Sequence, residues 1–349
     1  MAAKLVATED LTAGSVLADA VLSVSGKILL GKGVALTSRH IVLLKTWDVK
    51  TVFINYGADD SVTEPSPAAP PPISGPNYSQ FSREYSLILG DTARIFDFIR
   101  KRNIIPLPHL KERVENINST IKNTGPEIIA DLLIQNSKLV DYVIHHSLIV
   151  SFFTAIIAQQ MKWKELDISG AALAGLLHDL GNLTVDVSEV IRGKTYITET
   201  ASLLKKLNGI PNEVILGILQ HREYLDGSGF PTGVGRDKIH PYARIVAVAD
   251  CFYNNAYRDN EYANPFLALD ILGQEMLGKL DLSICQTFIT RLQDSLLHNK
   301  ILLSNGRDAE IIFFPNGSYL PLVRTKDDQI IDLAKYGTSM VKRIIAPDQ

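Results

Sequence analysis

Apolar residues recur at helical spacing through most of the chain, and at strand-like spacing near both ends. Between Leu5 and Asn55, Val16-Leu17 and Ala20-Val21-Leu22 lead through Ser23-Val24-Ser25-Gly26-Lys27 to Ile28-Leu29-Leu30, with Gly26 as a turn signal between two apolar runs. Thr37 opens a short helical stretch that runs to Lys45, and Lys50 to Ile54 returns to strand, so residues 1–56 are predicted to form a small α+β module. Residues 57–77 include Glu64-Pro65-Ser66-Pro67-Ala68-Ala69-Pro70-Pro71-Pro72, too poor in apolar side chains to bury anything, and are predicted to be a linker. Connecting helices are predicted over 78–130, where Tyr85, Ile88, Leu89, Ile95 and Ile99 keep helical spacing and Lys101-Arg102 supply the cations that favour a helix C-terminus. The same period governs 131–300, broken by loops around Leu183–Asp186, Gly209–Asn212 and Asp226–His240. In 301–349, Asp308–Phe314, the turn Pro315-Asn316-Gly317-Ser318 and Tyr319–Val323 read as strand, turn and strand, so this end is taken as a β segment with a helix. The fold class is mainly α, a helical bundle with a small N-terminal α+β module and a short C-terminal β segment.

Composition narrows the picture in three ways. With 46% hydrophobic and 21% charged residues the chain has the apolar content of a globular protein, which excludes wholesale disorder. A net charge of -3 gives no basic field, so no DNA partner is expected. Cys251 and Cys285 are too few and too far apart for a disulfide framework. The N-terminus has no apolar run of signal-peptide length. The most apolar stretch, Leu148 to Met161, carries Ser151, Thr154, Gln159 and Gln160 and falls short of the roughly 20 residues that span a bilayer, so it is read as a buried core helix. A cytoplasmic protein without a membrane span is expected.

The chemistry concentrates in 131–300. His178-Asp179 follows the apolar run Ala171–Leu177, and an imidazole beside a carboxylate at a helix end can converge on one cation. His146, His221 and Asp250 also lie beside apolar helical runs. Burying such groups unpaired is costly, and mutual coordination of a metal answers all of them at once. From His221 the chain reads His221-Arg222-Glu223-Tyr224-Leu225-Asp226-Gly227-Ser228-Gly229-Phe230-Pro231-Thr232-Gly233, whose glycines and proline specify a tight loop.

These residues resemble the HD-GYP family, whose loop reads His-His-Glu, two residues, then Asp-Gly-Ser-Gly-Tyr-Pro-x-Gly. The resemblance extends to His146-Ser147, to Leu176-Leu177-His178-Asp179-Leu180-Gly181 and to Ala243–Asp250, and the N-terminal module is similar to an accessory domain that precedes such domains. It implies an HD-type bundle over 131–300 in a bacterial signalling protein, and metal-dependent hydrolysis of cyclic-di-GMP or a related phosphodiester, with iron or manganese as the divalent transition metal. Carried over residue by residue, His146, His178, Asp179 and Asp250 hold one tight metal, and Asp179 with His221 reaches toward a second, with Asp179 as the catalytic ligand. Glu223, Asp226, Gly227, Gly229, Phe230 and Pro231 form the motif loop. The implied partners are a cyclic dinucleotide and signalling proteins such as diguanylate cyclases.

The sequence departs from that pattern on the side of the second metal. Arg222 replaces the second His of His-His-Glu, Ile197–Ala201 lacks another expected His, and Tyr142 stands where some members carry a glutamate. Asn182 replaces a lysine and Phe230 the motif tyrosine. A second metal therefore has few protein ligands beyond Asp179 and His221, unless Glu199 or Glu223 moves in. Two readings of Arg222 stand side by side: with Asn182 it meets substrate phosphate, or it pairs with Glu223 or another nearby acid. Two functions stand likewise: a phosphodiesterase of reduced activity, and a catalytically degenerate domain that binds a nucleotide or a partner protein.

Overall fold

A computed structural model describes residues 2–22, 28–37, 40–41, 44–45, 49–56, 80–125, 128–135, 137, 140–184, 195–205, 207–258 and 262–345. The linker at 57–77 and the turn at Ser23–Lys27 lie outside them. The chain divides into two compact units, whose described residues lie in 2–56 and 80–345. In the first, strand β1 (Ala2–Ala7) pairs antiparallel with β4 (Thr51–Tyr56), and β2 (Val21–Leu22) with β3 (Ile28–Leu30). Leu11, Leu17, Leu36, Leu44 and Val52 form its core.

The second unit is mainly α. Helices α1 (Gln80–Arg102) and α2 (Leu107–Thr124) precede α3 (Ile128–Ile134) and the central α4 (Tyr142–Gln160). A helix that is apolar all round has no face suited to water and goes to the middle of a bundle. In α4 every residue from Val143 to Ala158 is buried accordingly. Asp141 starts it by accepting the Val143 amide at 2.9 Å, a cap worth about 1 kcal/mol. Helix α5 (Glu165–Leu177) lies directly on α4. A Cβ at Gly175 would stand 2.9 Å from Thr154 Oγ1, so the glycine permits that approach. After the single turn α6 (Gly181–Thr184) come α7 (Thr195–Lys205), α8 (Asn212–Gln220), α9 (Pro241–Ala256), α10 (Pro265–Asp270) and α11 (Leu282–Leu296).

Three expectations need correction. The loop placed at Leu183–Asp186 begins as helix, because the Asn182 and Leu183 amides bond back to the Asp179 and Leu180 carbonyls, both at 2.9 Å, and carry the turn on. The apolar helix starts at Tyr142 rather than Leu148, and at 19 residues it is long and apolar enough to cross a membrane by length and composition. Here it is packed inside the bundle. At the C-terminal end the expected strand pair is part of a five-stranded antiparallel sheet among the described residues. Its strands are β5 (Lys300–Leu303), β6 (Asp308–Phe313), β7 (Leu322–Thr325), β8 (Ile330–Asp332) and β9 (Val341–Ile344), in the order β8-β7-β6-β5-β9. Tyr319 lies outside β7, with its ring against Gly273. Ile301, Ile311, Val323 and Val341 join the helical core, so sheet and bundle share one interior. The helix at this end is the single turn Leu333–Tyr336, capped by Asp332.

Candidate metal centre

Helices α4, α5, α8 and α9 deliver the candidate ligands. Two of the histidines stand at helix C-termini: His178 ends α5 and His221 ends α8. A helix end leaves carbonyls without partners, and both histidines meet one in the same way. Nδ1 of His178 lies 2.7 Å from the Gly175 carbonyl, and Nδ1 of His221 lies 2.7 Å from that of Ile218. A carbonyl only accepts, so Nδ1 carries the proton and Nε2 presents its lone pair to the interior. Both Nε2 atoms, and Oδ1 of Asp179, are buried without a hydrogen-bond partner among the described residues. The two rings are 5.0 Å apart, and the His146 ring is 4.8 Å from that of His178.

His146, His178 and Asp179 each offer an atom within 4.8 Å of the others. His146 Nε2 donates to Asp250 Oδ1 at 2.8 Å, and its Nδ1 is 3.4 Å from Asp179 Oδ2. Asp250 Oδ1 is 3.6 Å from His178 Nε2. Two buried carboxylates thus share an interior with three histidines, and their mutual charges set the protonation states. Burial alone would lower the pKa of His146, but hydrogen bonds and charge from Asp179 and Asp250 outweigh it and raise it to about 9. His221 goes the other way: burial, with the positive charge of Arg222 nearby, lowers it to about 3. Asp179 and Asp250 are held below the usual carboxylate range: burial opposes this, and the neighbouring His and Arg charges prevail. Imidazole lone pairs and carboxylate oxygens converging in a buried pocket, with unmet acceptors among them, fit a divalent transition metal.

The motif loop is a rigid support. Glu223 is buried, and its carboxylate accepts the Thr232 amide and hydroxyl, both at 2.7 Å, and the Gly233 amide at 3.0 Å. Its carboxylate is thereby engaged by the loop. Arg222 makes an ion pair with Asp250, Nη2 to Oδ2 at 3.3 Å. A Cβ at Gly229 would come within 2.4 Å of Glu223 Cα and the Tyr224 nitrogen, so only glycine lets the loop fold back on the helix end. Gly227, at φ 80°, makes the turn. Asp226 is exposed and accepts the Ser228 amide and hydroxyl, so it shapes the loop. The Phe230 amide bonds to the Arg222 carbonyl at 3.0 Å, and Pro231 follows it in the loop. Asn182 is half-buried on α6. The side chain of Glu199 lies outside the described residues.

The sequence alone missed the groups that hold Asp250 and His146. Asn254 Nδ2 donates to Asp250 Oδ1 at 2.8 Å, and Tyr142 Oη donates to Asn254 Oδ1 at 3.0 Å. The Tyr253 ring lies 4.5 Å from that of His146, and its hydroxyl bonds to His145 Nδ1 at 2.7 Å. The available signal was helical spacing: Asn254 follows Asp250 by four residues and shares its face, as Tyr142 does with His146.

Residues 127–284 match the HD domain family. The chain is 23% identical over 272 residues to a cyclic di-GMP phosphodiesterase of Pseudomonas aeruginosa, covering 70% of this chain and 64% of that one. It is 33% identical over 131 residues to a 3'3'-cGAMP-specific phosphodiesterase of Vibrio cholerae, covering 33% of this chain and 28% of that one. It thus spans less than two thirds of the length of either relative. Among solved structures, an HDG"Y"P protein from Bdellovibrio bacteriovorus shares the fold with a TM-score of 0.50 at 16% identity, over 82% of this chain and 98% of that one. Residues 127–284 thus carry the HD domain, and the converging His and Asp residues and these relatives make the chain similar to the HD-GYP proteins.

Proposed function

We propose that the chain is a metal-dependent phosphodiesterase acting on cyclic-di-GMP or a related cyclic dinucleotide, with lower activity than a complete family site would give. The observation that carries this is the convergence of His146, His178, Asp179 and Asp250 in one buried pocket, with the His221 lone pair facing the same interior. On this reading His146, His178, Asp179 and Asp250 hold one tight ion, iron or manganese. When bound, such an ion lowers the pKa of water and neutralises phosphate charge. The protein's own part is orientation: the Gly175 and Ile218 carbonyls fix two ring tautomers, and Asn254 steadies Asp250. The reading carries with it a cytoplasmic setting and partners among signalling proteins such as diguanylate cyclases. The relatives from Pseudomonas aeruginosa and Vibrio cholerae, phosphodiesterases of cyclic di-GMP and of 3'3'-cGAMP, support the substrate class.

A second reading is favoured by one observation, the ion pair between Arg222 and Asp250. It occupies a carboxylate that the family motif devotes to metal, and suits a domain that binds a nucleotide or protein without turnover. Turnover of cyclic-di-GMP with added iron or manganese, beside calorimetric titration of the nucleotide, separates the two. Slow hydrolysis that disappears in Asp179→Ala supports the enzyme. Tight binding with hydrolysis no faster than in Asp179→Ala supports the binding domain.

A further inference from the structure

Helices α1 and α2 enclose a cleft of about 420 Å³ that is partly open to solvent, within the roughly 300–1,000 Å³ usual for small-molecule sites. None of its lining residues belongs to the metal centre. Asp91, Arg94, Ile95 and Phe98 line it from α1, where their spacing of three and four residues puts them on one face. Pro106, His109 and Arg113 line it from the start of α2. Asp91 divides its carboxylate between two cations, Oδ1 to Arg94 Nη2 and Oδ2 to Arg113 Nη1. Glu112 takes Arg113 Nη2, but it is more than half exposed and does not line the cleft. Two guanidiniums therefore line the cleft with one carboxylate. The Arg113 side chain is only 9% exposed, and its buried Nε has no hydrogen-bond partner among the described residues. Burying a cation is costly unless its donors are met, and here one is not. Arg94 is 70% exposed and pairs only with Asp91 among the described residues, so most of its N–H donors are open to a ligand.

We propose that this cleft binds a small organic carboxylate, its anionic end at Arg94, Arg113 and His109 and its apolar body on Ile95, Phe98 and Pro106. The site does not depend on the phosphodiester chemistry proposed above. Both guanidiniums already hold the carboxylate of Asp91, and a planar fork of N–H groups matches a second one. The excess of one positive charge suits a monoanion, whereas a phosphate monoester carries about −1.5 to −2 and would exceed it. His109 is exposed and can donate from one ring nitrogen even when neutral. Phe98 leaves 42% of its surface to solvent, and Ile95 and Pro106 are half-buried, so a ligand with an apolar body gains by covering them.

The probes are 3-phenylpropionate and 4-methylpentanoate, titrated into the full-length protein by calorimetry and ligand-observed NMR. At least one should bind saturably with a Kd of about 1 mM or tighter, which a ligand of this size reaches at ordinary efficiency. The corresponding neutral amides, and acetate with no apolar body, should bind about tenfold more weakly or worse. Arg94→Gln lies at an exposed position and should melt as wild type does while losing about tenfold in affinity. Phe98→Ala should lose about three- to tenfold. Chelator-treated and manganese-loaded protein should bind the acid alike. Saturable binding of neither acid, an amide that binds as well as its acid, or wild-type affinity in either Arg94→Gln or folded Phe98→Ala overturns the proposal. So does binding that appears only with manganese, because the carboxylate would then sit on the metal. Should Phe98→Ala not fold, Arg94→Gln and the comparison of acid with amide still decide.

Discussion

On one side of the centre, His146, His178, Asp179 and Asp250 come from packed helices and balance each other through one hydrogen bond and close contacts of 3.4 and 3.6 Å within the core. On the other, His221 and Arg222 stand at the start of a glycine-rich loop, and charge balance comes from one arginine reaching in from the surface side. Each group in the first cluster is buried and answers to several neighbours at once, so a single replacement leaves others unpaired. Arg222 is partly exposed, so a chain can exchange that position with less disturbance to its core. A departure from a family motif is therefore easier to accommodate at Arg222 than at His178 or Asp179.

This contrast can be broken experimentally. The largest effect is expected for Asp179→Ala, which removes the carboxylate between His146 and His178. Metal should be lost on desalting and turnover with it, and a variant that still carries a full equivalent would show that the helical side does not depend on its central acid. Asn254→Ala comes next. It touches Asp250 without being a candidate ligand itself, and metal affinity should fall by about 10- to 100-fold, read by competition with a chelator. Gly229→Ala attacks the loop. Its added methyl meets the Glu223 and Tyr224 backbone, so stability should fall by about 1–3 kcal/mol, while the helical side still takes up metal once the protein is folded. Equal loss of metal in Gly229→Ala and Asp179→Ala would mean that the two sides act as one.

Protonation sharpens the same division. His146, raised to about 9 in the fold, contributes stability that is complete below the unfolded value of 6.5 and is lost as pH rises through 9. His145 and His221, both lowered to about 3 with burial the leading cause, act oppositely: the unfolded chain takes up protons first, so their destabilising effect grows as pH falls from 6.5 toward 3. The metal-free protein should melt highest near pH 6.5. Metal uptake at pH 7 should release about one proton, from His146, which calorimetry in buffers of different ionisation enthalpy measures. The smallest effect is expected from deleting residues 1–77, which should leave metal content unchanged. Loss of the metal from a folded truncated protein would assign the N-terminal unit a part in the centre.

The helical side was the more legible in the sequence. His178-Asp179 and Asp250 follow apolar helical runs and His146 precedes one, so burial and convergence follow from the pattern of the chain. The partner of Arg222 was not legible, because it depends on how the end of α8 is rotated against α9. Neither was the sequestration of Glu223, which is made by loop amides that carry no sequence signal. In the C-terminal sheet the pair β6 and β7 stood out through its turn residues. Strands β5 and β9 have four residues each, too few for alternation to separate them from helix or loop, and they are recognised by their pairing through Ile301 and Ile344.

The two carbonyls that hold His178 and His221 also identify which ends of their helices face the pocket. Peptide dipoles in α5 and α8 add along each axis and leave partial negative charge at the C-terminus, and both C-termini lie at the centre. The backbone itself therefore lowers the potential there before any carboxylate is counted. A metal cation is drawn in by the fold as well as by its ligands. For a phosphodiester the same field is a barrier, so a variant that loses both its metal and Arg222 should repel a cyclic dinucleotide rather than bind it weakly.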